Sequence, residues 1–273
     1  RQWLRNGSPI SGATSSNYTL VAGDVGTNTS YRVQTSNALG NSAYATSSSV
    51  GPITLSPGTI SRVSAVTSTD PSGSAEMSRV APAFNAAAGN LIIVAIRYDQ
   101  TGANSITSVT DTAGNTYTAG AIGTTLSGGY PSVAQLWYCL SSVASSGNVV
   151  TVTQAQNGAV LDLSVVQYTT SSGSWVNSSN SGSGTDYAAS PFTTSTFTIP
   201  SNSVAFALVG SYYSNALPIG TGGDTLVTTH ESCGWTLERL SANNLTNQSF
   251  TSGDSQSGGY SRMAMSVGVF TAA

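Results

Sequence analysis

Lysine is absent: all eight basic residues are arginines, and only 7% of the 273 residues are charged. Without an ammonium side chain the chain forms no Schiff base, no lysine–asparagine isopeptide cross-link and no lysine-bearing phosphate loop. A net charge of −3 gives no basic groove for nucleic acid. Cysteine is limited to Cys139 and Cys233, too few for a disulfide scaffold in a chain of this size. Cys139 lies in the strand-like Leu136-Trp-Tyr-Cys-Leu140 and Cys233 in the polar His230-Glu-Ser-Cys-Gly234. A disulfide between them and two free thiols both remain open. A single histidine, His230, argues against a zinc site built from Cys and His. No apolar run approaches the ~18 residues of a membrane-spanning helix.

Helical periodicity is also nearly missing, and alternation takes its place. Leu161, Leu163 and Val165 fall on one face of a run from Val160 to Tyr168, with Asp162 and Ser164 on the other, which is expected to be solvated. Similar runs are Ile60–Thr67, Leu91–Tyr98, Val133–Leu140, Val204–Tyr212 and Ser261–Phe270, punctuated by Gly, Pro, Asn and Asp. Many short strands at this spacing predict an all-β chain with an antiparallel sandwich of jelly-roll type. The Pro- and Gly-rich stretch Gly51-Pro-Ile-Thr-Leu-Ser-Pro-Gly58 divides it, giving a first domain over 1–52 and a second over 53–273. Residues 171–190, almost wholly Ser, Gly, Asn and Thr, read as a long surface loop.

The segments Trp3-Leu-Arg-Asn-Gly-Ser-Pro-Ile10, Ala13-Thr-Ser-Ser-Asn-Tyr-Thr-Leu20, Asp24-Val-Gly26 and Tyr31-Arg-Val33 together resemble bacterial and phage immunoglobulin-like domains. The resemblance covers about the first fifty residues and implies that Trp3 is the core tryptophan of the family's third strand. It also implies two earlier strands, belonging to a longer protein or supplied by another chain, so the first domain is expected to be a partial sandwich. From about Ser56, Asn90-Leu-Ile-Ile-Val-Ala95, Asp111-Thr-Ala-Gly-Asn-Thr-Tyr117, Ala134-Gln-Leu-Trp-Tyr138 and Met265-Ser-Val-Gly-Val-Phe270 resemble β-sandwich modules of phage virion proteins and bacterial surface proteins. That resemblance implies a surface role and names no ligand.

Chemistry is sparse. His230 has no G-x-S-x-G elbow to serve. Glycoside hydrolysis needs two carboxylates across a cleft, and Glu76, Asp99, Asp162, Glu231 and Glu238 are the residues available. Calcium has candidate turns at Asp70-Pro-Ser-Gly73 and Gly222-Gly-Asp224, although a turn-stabilising Asp explains each. Binding fits the composition better, because sugars stack on exposed aromatic rings while amide side chains take their hydroxyls. Trp175 and Tyr187 in the 171–190 segment are candidate platforms, followed by Tyr130 after two glycines and the pair Tyr212-Tyr213. The expectation is a non-enzymatic, cofactor-free phage virion surface protein (fibre, tail tip or head decoration). It would be homo-oligomeric, extracellular and not inserted in a membrane, assembled with other virion proteins and adhering to host glycans. A secreted bacterial carbohydrate-binding or adhesin module is the alternative.

Overall fold

The computed structural model describes the chain apart from residues 25, 54–58, 70–75, 100–104, 126–130, 159, 189–191, 212–215, 218–223, 231–233 and 255–260. It is all-β, in two compact units, Arg1–Ser56 and Pro57–Ala273.

The first unit is a four-stranded antiparallel sheet ordered β2-β1-β3-β6, from β1 Gln2–Arg5, β2 Ser8–Pro9, β3 Thr29–Val33 and β6 Ala45–Thr46. A hairpin of β4 Ser36–Asn37 and β5 Gly40–Asn41 lies beside it in sequence. The β1–β2 turn is Asn6-Gly7, both at positive φ, the pairing that a two-residue hairpin with the strands' own twist demands. Trp3 packs on Tyr31 at 4.8 Å and Tyr18 at 5.8 Å between ring centroids. Asp24 is fully buried: its carboxylate accepts from Arg5 Nε at 2.7 Å, Tyr18 Oη at 3.0 Å and the Val21 amide at 2.8 Å. The amide of Val21 contributes most to holding this carboxyl below its ordinary range.

The second unit contains one ten-strand arrangement twice. Half A runs β7 Ile60–Ser68, β8 Glu76–Val80, β9 Phe84–Ala86, β10 Leu91–Asp99, β11 Ile106–Asp111, β12 Thr118–Thr124, β13 Ser132–Cys139, β14 Ser145–Asn148, β15 Val150–Gly158 and β16 Leu161–Thr170. Half B runs β17 Trp175–Ala188, β18 Phe192–Thr193, β19 Phe197–Ile199, β20 Ser203–Ser211, β21 Ala216–Leu217, β22 Thr225–His230, β23 Gly234–Ser241, β24 Leu245–Gln248, β25 Thr251–Asp254 and β26 Ser261–Ala272. The sheet β12-β13-β10-β16-β7 of half A recurs in half B as β22-β23-β20-β26-β17. Likewise β11-β15-β8 recurs as β21-β25-β18, and β14-β9 as β24-β19. The registers correspond residue by residue. Thr170 lies opposite Ile60 as Ala272 lies opposite Trp175, and Phe84 opposite Asn148 as Phe197 opposite Gln248. A loop bond recurs as well, Ala81 N to Val150 O in half A and Thr194 N to Phe250 O in half B. A single sandwich over 53–273 was expected; the sandwich is there, duplicated.

The two five-stranded sheets pack face to face and bury three successive cores. Ile92, Val94, Ile96 and Leu163 belong to the core inside half A, and Ala205, Ala207, Val209 and Val267 to the core inside half B. Between the sheets lie Leu91, Ile93, Leu136, Val166 and Tyr168 against Val204, Phe206, Leu208 and Phe270. Every residue of β10 and β20 is therefore buried, because both faces of each strand meet a core. The face of β16 carrying Asp162 and Ser164, expected to be solvated, points into the central layer and is buried.

Two equivalent serines tie the edge strands across that layer. Ser266 Oγ donates to Ala121 O of β12 at 2.6 Å, and Ser164 Oγ meets Thr228 Oγ1 of β22 at 2.9 Å. The two corners differ in what lies beside these bonds. At the β12–β17 corner a Cβ on Gly123 would come within 2.1 Å of Met265 O, on Gly182 within 2.0 Å of Ile122 O, and on Gly184 within 1.8 Å of Thr124 O. Only bare backbone fits this seam. At the β7–β22 corner Thr67 stands where half B has Gly182, opposite Ser164 as Gly182 is opposite Ser266. We predict that Gly182→Ala or Gly184→Ala lowers unfolding stability by about 1–3 kcal/mol in urea titrations, the usual cost of overpacking. Exposed Ser179→Ala on the same strand should stay within about 0.5 kcal/mol of the parent.

Candidate functional site

Strand ends that lie far apart in sequence meet at one rim of the central layer. Asp99 ends β10 opposite Ser132, which opens β13, and Arg97 lies opposite Asp162 near the start of β16. From half B, Gly210 and Ser211 end β20 opposite Gly234 and Met263. Arg97, only 2% exposed, occupies this junction. It donates to Asp99 Oδ1 at 2.8 Å and to Ser211 O at 3.2 Å, and its Nη1 stands 3.7 Å from Asp162 Oδ2. Burial pushes the Asp99 carboxyl up, and Asp162 adds to the rise, while Arg97 opposes it. The arrangement neutralises charge inside a protein interior. Asp99 and Asp162 are both buried and share one cation.

A second polar group crosses the layer near its β7–β22 corner. Tyr168 donates to Glu238 Oε2, and Arg62 Nη1 lies 3.3 Å from Glu238 Oε1. Burial above all, then Glu238, pushes the Tyr168 phenol well up, so it remains a donor. The equivalent position in half A is apolar: Tyr138 packs edge-on against Phe270 at 5.0 Å, where half B sets Glu238 against Tyr168.

The Asp111–Tyr117 motif is a structural staple. Asp111 accepts from the Asn115 amide at 2.9 Å, Asn115 Nδ2 at 2.7 Å, Tyr117 Oη at 2.8 Å and Asn148 Nδ2 at 2.8 Å. Asn148 Oδ1 in turn accepts from Thr112 Oγ1 and the Ala113 amide. Burial pushes the Asp111 carboxyl up, but the donors from Asn148, Asn115 and Tyr117 outweigh it and hold the carboxyl below its ordinary range.

Of the expected site residues the structure describes only Trp175 in full. Trp175, taken from its Ser/Gly-rich surroundings as an exposed platform, begins a fourteen-residue strand and is 5% exposed in the central core. The segment is a strand because it pairs along nearly its whole length with apolar β26, which overrides its poor β propensity. Tyr187 lies on the same strand, and its side chain falls outside the described set, as do residues Tyr130, Tyr212 and Tyr213 altogether. Of the calcium turns, Asp70 lies outside the described residues, and the Asp224 side chain is fully buried against Arg239 at 2.6 Å. Cys139 is a buried free thiol, so it is not paired with Cys233. Among the described residues no group of three or more His, Cys, Asp or Glu could hold a metal ion.

Every acidic side chain that the structure describes is already engaged: Asp24 by Arg5, Glu76 by Arg79, Asp99 and Asp162 by Arg97, Asp111 by its staple, Asp224 by Arg239 and Glu238 by Tyr168 and Arg62. No protein-family model, curated protein sequence or solved structure matches the chain.

Two outcomes follow from these placements. Trp175→Ala should cost about 3–5 kcal/mol of stability by chemical denaturation, as a truncated core aromatic does; an unchanged midpoint would return the ring to the surface. Asp111, with its folded pKa lowered, stabilises the fold above its unfolded pKa, and this contribution fades as pH falls through the folded value. Asp111→Asn should therefore weaken the fold by about 1–3 kcal/mol at pH 7. It should also flatten the acid limb of the stability profile below about pH 4.

Proposed function

We propose that the chain is a non-enzymatic surface protein of a bacteriophage particle, a fibre, tail-tip or head-decoration component that adheres to host-surface glycans. Its role is assembly with other virion proteins and attachment rather than chemistry.

 The observation that carries this reading is that engagement of acids by arginines and amides. It leaves no pair of described carboxylates facing each other across an open groove, the arrangement that glycan cleavage needs. The outer strands present hydroxyl and amide groups in place of charge, as along β17, where exposed Ser178 meets Thr271 and Asn177 meets Asn180. Such a surface suits neutral sugars, whose hydroxyls exchange hydrogen bonds with amides and whose apolar faces need only an aromatic ring. Many copies on one particle turn weak contacts into firm attachment.

Tyr130, Tyr187, Tyr212 and Tyr213 are the rings to test. Tyr130 precedes β13 in sequence and Tyr212 directly follows β20, the two strands whose ends meet beside Arg97. The full chain should bind a subset of a bacterial glycan array saturably. Replacing the four tyrosines with alanine should abolish that binding and leave the circular-dichroism melt unchanged. A folded parent that binds no glycan would restrict the role to architecture.

A further inference from the structure

We propose that the central layer is an interface that a second copy of this chain can fill, with half A of one chain docked on half B of another and Arg97 and Gly210 as the pairing key. The two residues hold the same place in the duplicated arrangement. Arg97 lies between Ala134 and Asp162 in its sheet, and Gly210 between Gly234 and Ala264 in the other. They also face each other: a Cβ on Gly210 would sit 3.0 Å from Cγ of Arg97 and 3.3 Å from Ser132 Oγ. The guanidinium then reaches past Gly210 to Ser211 O at 3.2 Å.

A long cation of one half is thus fitted to a strip of minimal residues on the other. Two A halves would set guanidinium against guanidinium. Two B halves would leave a void where the arginine belongs. Only A on B fills the space without setting two guanidiniums against each other, so the pair discriminates by size and charge together.

The rest of the fold permits the exchange. Each half closes a core of its own, so neither depends on the central layer for its internal packing. The covalent joint between them is the short segment 171–174, where Gly173 N donates to Thr170 O at 3.1 Å. Exchange between chains would rebuild the same central contacts in trans and change only that joint, which is why domain swapping is a low-cost route to association.

The test uses the full chain. Gly210→Arg alone opposes two arginines, and Arg97→Gly alone removes the guanidinium from Asp99 and Asp162; both should lower the urea midpoint. The double variant Arg97→Gly/Gly210→Arg restores one arginine and one glycine across the layer, and its midpoint should lie above those of both single variants. The two single variants are then refolded together. Neither has a complementary A-on-B pair of its own, but the mixture has two, so an equimolar two-chain complex should elute from size exclusion with light scattering. Neither variant refolded alone should yield it. A double variant no more stable than the single ones overturns the key. A rescued double variant whose parent single variants give no two-chain complex on mixing overturns the exchange.

Discussion

The second unit depends on the burial of both faces of its five-stranded sheets. A sheet with one solvated face can alternate apolar and polar residues, but a sheet between two cores cannot. β10 and β20 meet this demand with unbroken runs of buried residues, alternate side chains entering alternate cores. The polar groups that do enter the central layer must then find partners inside it, since an unpaired buried charge is far costlier than a paired one. Arg97 with Asp99 and Asp162, and Glu238 with Tyr168 and Arg62, answer that demand at different places in the same layer.

The shortage of charge in the sequence takes on a different meaning in this light. Arg5, Arg62, Arg79, Arg97 and Arg239 each hold an acid, and Arg32 lies over the ring of Tyr44 at 4.2 Å. Planar guanidinium suits these sites because its fixed donors satisfy several acceptors at once and it carries less hydration into the interior than an ammonium does. Arginine without lysine is what a chain needs when its cations serve mainly as internal ties. Solubility then falls to hydroxyl and amide side chains.

Much of the strand framework was legible in the sequence, and its duplication was not. The long apolar runs announced β10, β13, β16, β20 and β26, whose cores demand them. β17 stayed hidden because its glycines are set by the backbone approach of β12, a tertiary requirement that looks like low complexity in a list of residues. Trp175 was misplaced for the same reason. The repeat escaped because equivalent positions share burial and hydrogen-bonding geometry but little chemistry: Arg97 matches Gly210, Tyr138 matches Glu238, and Asp162 matches Ala264. Ser164 and Ser266 do keep their identity, too small a signal to read without the structure. The motif from Asp111 to Tyr117 was visible, yet its use as an internal staple depends on Asn148, which only the fold brings near.

The order of the two halves along the chain sets an order of events during synthesis. All ten strands of half A precede residue 171, so its own core can close while half B is still on the ribosome. During that interval Leu91, Ile93, Leu136 and Tyr168 form an apolar face with nothing yet to cover it. The nascent chain therefore passes through a folded but sticky stage, whose length is set by the time needed to translate the second half. Crowded polysomes making this protein hold many such faces close together, each waiting for its own half B.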